Sequence, residues 1–142
     1  MSIEEAKTAI VEELLMYDDW LDRYEYIISL GKDLPGLTDD RKTEDRLIKG
    51  CQSRVWLDSR REGSRLFFDA DSDALITRGI IAMLIRVYSG QEAAEIASDD
   101  FLFVKRTGLV DNLSPTRANG LASMISTIRG IAAEAAGEDG GR

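Results

Sequence analysis

Apolar residues recur at helical spacing from the start of the chain, with Ile3, Ala6, Ile10 and Leu14 on one face of a 3.6-residue repeat. Ser2 and Glu5 stand at the head of that run in the S-x-x-E pattern of a capping box, so a first helix is expected to start there. A second helix begins near Asp18 or Asp19, carries Trp20, Tyr24, Ile27 and Ile28 on one face, and takes Gly31 as its C′ residue. Residues 32–45 are polar and contain a turn at Pro35-Gly36. The rhythm then changes. Ser53, Val55, Leu57 and Ser59 alternate with Arg54, Trp56 and Asp58, the period of a strand. Glu62-Gly63-Ser64 makes a turn and residues 65–70 a second strand, so 53–70 is expected as an antiparallel hairpin.

Asp71, Ser72 and Asp73 supply turn and N-cap chemistry ahead of a strongly apolar helix over residues 74–88, which Gly90 ends. Residues 91–97 are expected as a short helix, and residues 101–104 fit either a short helix or an extended piece. Ser114-Pro115 places a cap and a first-turn proline before the last helix, which carries Ala118, Leu121, Ala122, Ile125, Ile128 and Ala132 on one face. Residues 138–142 are expected to be a disordered tail behind a single domain over residues 1–137. Helices grouped around a hairpin point to the α+β class, with helices packed on one face of a small antiparallel sheet.

At 142 residues and 44% hydrophobic, the chain can bury a core without disulfides. Two prolines argue against a long disordered linker. A formal net charge of -8 disfavours nucleic acid as a partner, because repulsion replaces counterion release. The acidic start MSIEEAK has no apolar h-region, and the apolar stretch over residues 80–87 is too short for a membrane span and contains Arg86. The expected compartment is the cytoplasm.

The chain has no histidine and one cysteine. A Ser-His-Asp or Cys-His mechanism within the chain is thereby excluded, as is a zinc site of the common His/Cys kind. One thiolate is also too few to hold an iron–sulfur cluster alone. The remaining nucleophile is Cys51, in Gly50-Cys51-Gln52-Ser53. Glycine before it permits close approach of another molecule, and the flanking Lys49 and Arg54 favour the reactive thiolate. A lone cysteine is also read as a small buried hydrophobe, with the flanking charges as solvated surface, and composition alone slightly favours that reading. A thiolate needs no general base to attack the outer sulfur of a partner's persulfide, provided that it is ionised and reachable. The pairs Asp18-Asp19, Asp39-Asp40 and Asp99-Asp100 fit turns and caps better than acid–base or metal sites. Arg117, in the first turn of a helix whose dipole favours anions there, is a candidate binding residue.

The segments Gly50-Cys51-Gln52-Ser53-Arg54-Val55-Trp56-Leu57 and Arg23-Tyr24-Glu25-Tyr26-Ile27-Ile28-Ser29-Leu30-Gly31-Lys32-Asp33-Leu34-Pro35 resemble the SufE family of sulfur acceptors. So do Ser72-Asp73-Ala74 leading to Arg78-Gly79, and Leu113-Ser114-Pro115-Thr116-Arg117-Ala118-Asn119-Gly120-Leu121, all in the family's order. Where relatives tend to carry asparagine five residues before the cysteine, this chain has Arg46.

The resemblance implies an α+β fold of the SufE and IscU kind. Cys51 would take persulfide sulfur from a pyridoxal-phosphate cysteine desulfurase, SufS-like or CsdA-like, stimulate that enzyme, and pass sulfur on to an iron–sulfur scaffold. Gly50, Gln52, Ser53, Asp73 and Arg117 would serve partner docking or loop support. The pyridoxal phosphate would belong to the partner, with no cofactor or metal on this chain and no standalone turnover. The loop around Cys51 would shelter the thiol until docking. Two other readings stay open: a non-covalent regulator of a desulfurase, and a redox-sensing thiol protein.

Overall fold

The structure, a computed structural model, describes residues 1–140. Helix α1 (Ile3–Leu15) starts where its capping box does. The Ser2 hydroxyl accepts the Glu5 N–H and the Glu5 carboxylate accepts the Ser2 N–H, both at 3.1 Å. Asp19 caps α2 (Trp20–Lys32) by accepting the Leu21 N–H at 3.1 Å. Gly31, expected just past the end of this helix, instead lies buried inside it. The reason is α3 (Leu75–Tyr88), which crosses α2 backbone to backbone. A Cβ at Gly31 would stand 2.7 Å from the Gly79 nitrogen, and one at Gly79 would stand 2.2 Å from the Ile27 carbonyl oxygen.

Gly79→Ala should therefore force the two helices apart. Alanine is ordinarily favoured over glycine inside a helix by about 1 kcal/mol. Here the clash is with backbone, and overpacking of that kind costs roughly 1–3 kcal/mol. The expected net effect is a lower urea midpoint with an unchanged m value. A variant as stable as the parent would show that the crossing widens freely.

The predicted hairpin is present. Strands β1 (Val55–Glu62) and β2 (Arg65–Ser72) pair from Val55 opposite Ser72 to Glu62 opposite Arg65. β1 starts later than the alternation suggests, because Ser53 and Arg54 belong to the preceding loop. β2 runs on through Asp71 and Ser72, expected as turn and cap. Ala74 holds the N-cap position of α3 instead, and Ser72 contributes by accepting the Ala74 N–H at 3.3 Å. The segment expected as a helix over 91–97 opens with a short strand, β3 (Gln91–Glu92), antiparallel to Leu66 and Arg65 of β2. It becomes helical only from α4 (Ala93–Ser98). The sheet order is β1-β2-β3.

Val55, Leu57, Leu66, Phe68 and Ala70 are buried and join one core with helical residues such as Leu14, Ile81, Leu84, Leu121 and Ile128. This is the expected α+β arrangement of helices on one face of a small antiparallel sheet. The opposite face brings Asp58 directly across from Asp69, a like-charge pair that is unfavourable when left alone. The loop that was legible only as polar covers it, through 3-10 turns at Asp39–Arg41 and Glu44–Arg46. Arg41 reaches Asp58 at 2.7 Å and Asp69 at 3.1 Å, Arg46 reaches Asp58 at 3.2 Å, and Lys42 lies 5.4 Å over the Trp56 ring. Asp71 extends this seam by accepting the Leu37 N–H at 3.0 Å between Lys42 and Arg78, each at 3.4 Å.

The undecided segment over 101–104 starts with Phe101 in a left-handed conformation, φ 57°, and turns helical at α5 (Phe103–Arg106). Asp99 holds that unusual backbone in place. Its carboxylate accepts the Phe101 N–H at 3.1 Å and the Tyr88 hydroxyl at 2.6 Å and pairs with the Lys7 ammonium, while the Tyr88 and Phe101 rings stack at 4.2 Å. Helix α6 (Pro115–Gly140) begins at Ser114-Pro115 as expected, with the Ser114 hydroxyl accepting the Arg117 N–H at 3.3 Å. It continues through residues 138–140, part of the segment expected as a disordered tail; residues 141–142 lie outside the described residues. Among the described residues no helix is long and apolar enough to cross a membrane.

Candidate functional site

Leu47 and Trp56 form an isolated antiparallel bridge, and the Ile48 N–H donates to the Val55 carbonyl at 2.8 Å. The six residues between, 49–54, are thereby closed into a loop of their own, anchored by the buried Ile48. Cys51 sits near its tip, beyond the end of β1. Gly50 has φ +94°, a region that favours glycine, and a Cβ on it would meet the Ser123 Oγ of α6 at 2.4 Å. Position 50 therefore needs glycine for both its backbone and its contact with α6.

The Cys51 thiol is half-buried, and its Sγ lies 3.5 Å from the Gly120 carbonyl oxygen, to which the S–H donates weakly. Burial pushes its pKa above the ordinary thiol value, so in the isolated protein the sulfur is held as thiol rather than thiolate. The expectation that Lys49 and Arg54 favour the thiolate is not met. Both side chains are exposed, and burial alone sets the direction of the shift.

Beneath the sulfur lies a cavity of about 60 Å³. Cys51, Gln52 and Ser53 line it from the loop, Thr77 and Ile80 from α3, and Thr116, Arg117, Gly120 and Met124 from α6. Four of the candidate residues, Cys51, Gln52, Ser53 and Arg117, thus meet at one place. Gly50 packs outward on Ser123. Asp73 does not reach the cavity. Its carboxylate accepts the Arg54 N–H at 3.0 Å, while its own N–H and the Ser72 hydroxyl donate to the Arg54 carbonyl at 3.3 Å and 2.7 Å. It ties down the second leg of the loop. The Arg117 side chain is exposed and makes no hydrogen bond or ion pair among the described residues.

Thr77, Ile80 and Met124 were not singled out from sequence. Thr77 left no distinct signal, since it stands beside Arg78 near the start of α3. Of the carboxylate pairs, Asp19 caps α2 and Asp100 accepts the Leu102 N–H at 2.9 Å, as expected of cap and turn groups, whereas Asp99 is the buried partner of Lys7 and Tyr88. Among the described residues, no three His, Cys, Asp or Glu side chains converge as metal ligands would.

Comparison with known proteins bears on these residues. The model of the family described as "SufE: Fe-S metabolism associated domain" matches residues 8–132. An uncharacterized SufE-like protein of Rhizobium etli is 44% identical over 125 residues, covering 84% of this chain and 84% of its own. An uncharacterized SufE-like protein of Rhizobium meliloti is 41% identical over 125 residues, covering 84% and 89%. The solution structure of a hypothetical protein from Thermus thermophilus superposes with a TM-score of 0.76 at 17% identity, over 95% of this chain and 98% of that one, a likeness of fold alone. The match from residue 8 to residue 132 spans the Cys51 loop, both strands of the hairpin and α6 as far as Ala132, and the chain belongs to the SufE family, which is associated with iron–sulfur metabolism.

Proposed function

We propose that this chain is a cytoplasmic sulfur acceptor. In this reading Cys51 takes sulfur as a persulfide from a pyridoxal-phosphate cysteine desulfurase, SufS-like or CsdA-like, and yields it for iron–sulfur cluster assembly. The observation that carries the reading is the setting of the chain's only cysteine: near the tip of a closed loop, with its sulfur over a small cavity that has room for one more sulfur atom.

The chemistry is thiol exchange. The Cys51 thiolate attacks the outer sulfur of the partner's persulfide; an S–S bond forms on Cys51, the partner's S–S bond breaks, and the partner's cysteine leaves as thiolate. The proton lost by Cys51 can pass to that leaving thiolate, so no oxidant or reductant is needed. Clearing the partner's cysteine is what would stimulate it. Because burial disfavours the Cys51 thiolate, docking has to draw the loop out of its seat on α6 or bring a cation to the sulfur. Gly50 permits that close seat and Asp73 restrains the loop's second leg. Gln52, Ser53 and Arg117 stand at the cavity's edge, where Arg117 is unengaged and able to meet an acidic group of the partner. The pyridoxal phosphate belongs to the partner.

The test is to incubate the protein with a SufS-type desulfurase and free cysteine, take the intact mass, and map the peptide containing Cys51. The expected result is addition of sulfur on Cys51 that reductant removes and that is absent without cysteine. An unchanged mass beside an active desulfurase would sink the proposal.

A further inference from the structure

Among the described residues, few large apolar side chains are left in water. Leu15, Met16 and Leu21 lie where α1 gives way to α2, and Leu102 just before α5. Leu75, 61% exposed, is differently placed: it is the first residue of α3. Two residues before it, Asp73 accepts the Arg54 N–H at 3.0 Å and so holds the second leg of the Cys51 loop. Two residues after it, Thr77 lines the cavity. A single exposed leucine is ordinary on a protein surface. One fixed between the loop's anchor and the cavity wall stands where a sulfur donor has to arrive. The charges nearby are one-sided. Residues 46–57 include Arg46, Lys49 and Arg54 and no acidic residue, in a chain of formal net charge -8. The Lys49 and Arg54 side chains are exposed and, like that of Arg117 on the α6 side of the cavity, make no hydrogen bond or ion pair among the described residues. The neighbouring acid, Asp73, is engaged by the Arg54 N–H. Sulfur transfer also calls for docking energy. The Cys51 thiol is seated against α6, and bringing it to a donor's sulfur draws on binding by groups that do not react.

We propose that Leu75 is an anchor for the sulfur-donating desulfurase, entering an apolar pocket of that partner whose rim is acidic and faces Lys49, Arg54 and Arg117. The inference rests on the sulfur-carrier reading above. Burying the leucine in the partner supplies affinity, because apolar surface leaves water. The charge pairs at the rim supply orientation and speed of encounter. Leu75 thereby helps to decide which desulfurase this chain accepts, without touching the sulfur.

The experiment takes the SufS-like or CsdA-like desulfurase that loads Cys51 in the mass measurement above. The initial rate of sulfur addition is followed by intact mass against acceptor concentration, for the parent, Leu75→Ala and Leu75→Met. Truncating a leucine that is buried in the complex should raise the half-saturating concentration of Leu75→Ala about tenfold, with the maximal rate kept. Leu75→Met retains an apolar side chain of similar size and should stay within about twofold of the parent. Loading by an inorganic polysulfide, which needs no docking, reads the thiol alone and should be alike in all three. Added salt should weaken the parent and Leu75→Ala by the same factor, because it screens the rim and not the leucine. If Leu75→Ala saturates like the parent, or if its polysulfide loading falls as far as its loading by the enzyme, the anchor is refuted while the carrier reading survives. Half-saturation indifferent to salt refutes the acidic rim. If no such desulfurase loads the parent, although its thiol alkylates, both readings fall together.

Discussion

Cys51→Ser should abolish sulfur loading and, with it, stimulation of a SufS-type desulfurase. Serine fills the same space, and its hydroxyl can still donate to the Gly120 carbonyl as the thiol does at 3.5 Å. Stability should therefore shift by less than about 1 kcal/mol. With no second cysteine in the chain, no other group can take over. The measurement pairs desulfurase turnover and intact mass with the urea midpoint of the same preparation. Loss of loading with the fold intact marks Cys51 as the sulfur-bearing atom's owner. Full stimulation by the serine variant would instead identify a non-covalent regulator of the desulfurase.

Asp99→Ala should be among the most damaging single changes in the chain, although it lies outside the cavity. The Lys7 and Asp99 side chains are 6% and 9% exposed. Removing the carboxylate leaves the buried ammonium only the solvent-facing carboxylates of Glu4 at 3.3 Å and Asp100 at 3.9 Å, and also leaves the Tyr88 hydroxyl and the Phe101 N–H without their acceptor. Breaking a buried pair from one side costs about 3–5 kcal/mol, which for a domain of this size lowers Tm by roughly 10 °C or more. Lys7→Met/Asp99→Asn should recover most of the loss, because it removes both charges and keeps an acceptor for Tyr88. A double variant no better than Asp99→Ala would show that the uncompensated charge on Lys7 is not the source of the cost.

The same cluster sets a pH dependence. Burial raises the Asp99 pKa, but the hydrogen bonds from Lys7, Tyr88 and Phe101 more than offset it and hold the carboxyl below its ordinary 3.8. Its contribution is therefore complete above pH 3.8 and lost as pH falls through the lower folded value. For Lys7, burial lowers the pKa, but the hydrogen bond and charge of Asp99 lift it above the ordinary 10.5. That contribution is complete below pH 10.5 and lost as pH rises through the higher folded value. Denaturation curves of the parent and Asp99→Ala should run parallel between these limits and converge in acid.

Elements whose signals lie within a few residues were legible in the sequence. The Ser2–Glu5 box, the Ser114-Pro115 start of α6 and the alternation that became the hairpin are local patterns. Features decided by distant packing were not. Gly31 reads as a helix terminator from composition, yet its place is fixed by Gly79, nearly fifty residues on. The 39–46 loop is polar in sequence because Arg41, Lys42 and Arg46 answer carboxylates on the outer face of a sheet not yet formed. Gln91 and Glu92 are too few to show a strand period, and Phe101 adopts its backbone because Asp99 and Tyr88 hold it. The cysteine was visible through its motif. The state of its thiol was not, since α6, some seventy residues later, supplies the burial that overrides the flanking cations. Thr77 could be found only once α3 had a buried side facing the cavity.

The bridge at Leu47 and Trp56 also sets a length. A six-residue tether fixed at both ends, at about 3.4 Å per residue out and back, can carry its tip only about 10 Å beyond the closure. Cys51 therefore cannot fish deep into another protein, and any molecule that exchanges sulfur with it must bring the reacting atom to a shallow meeting point at this end of the sheet.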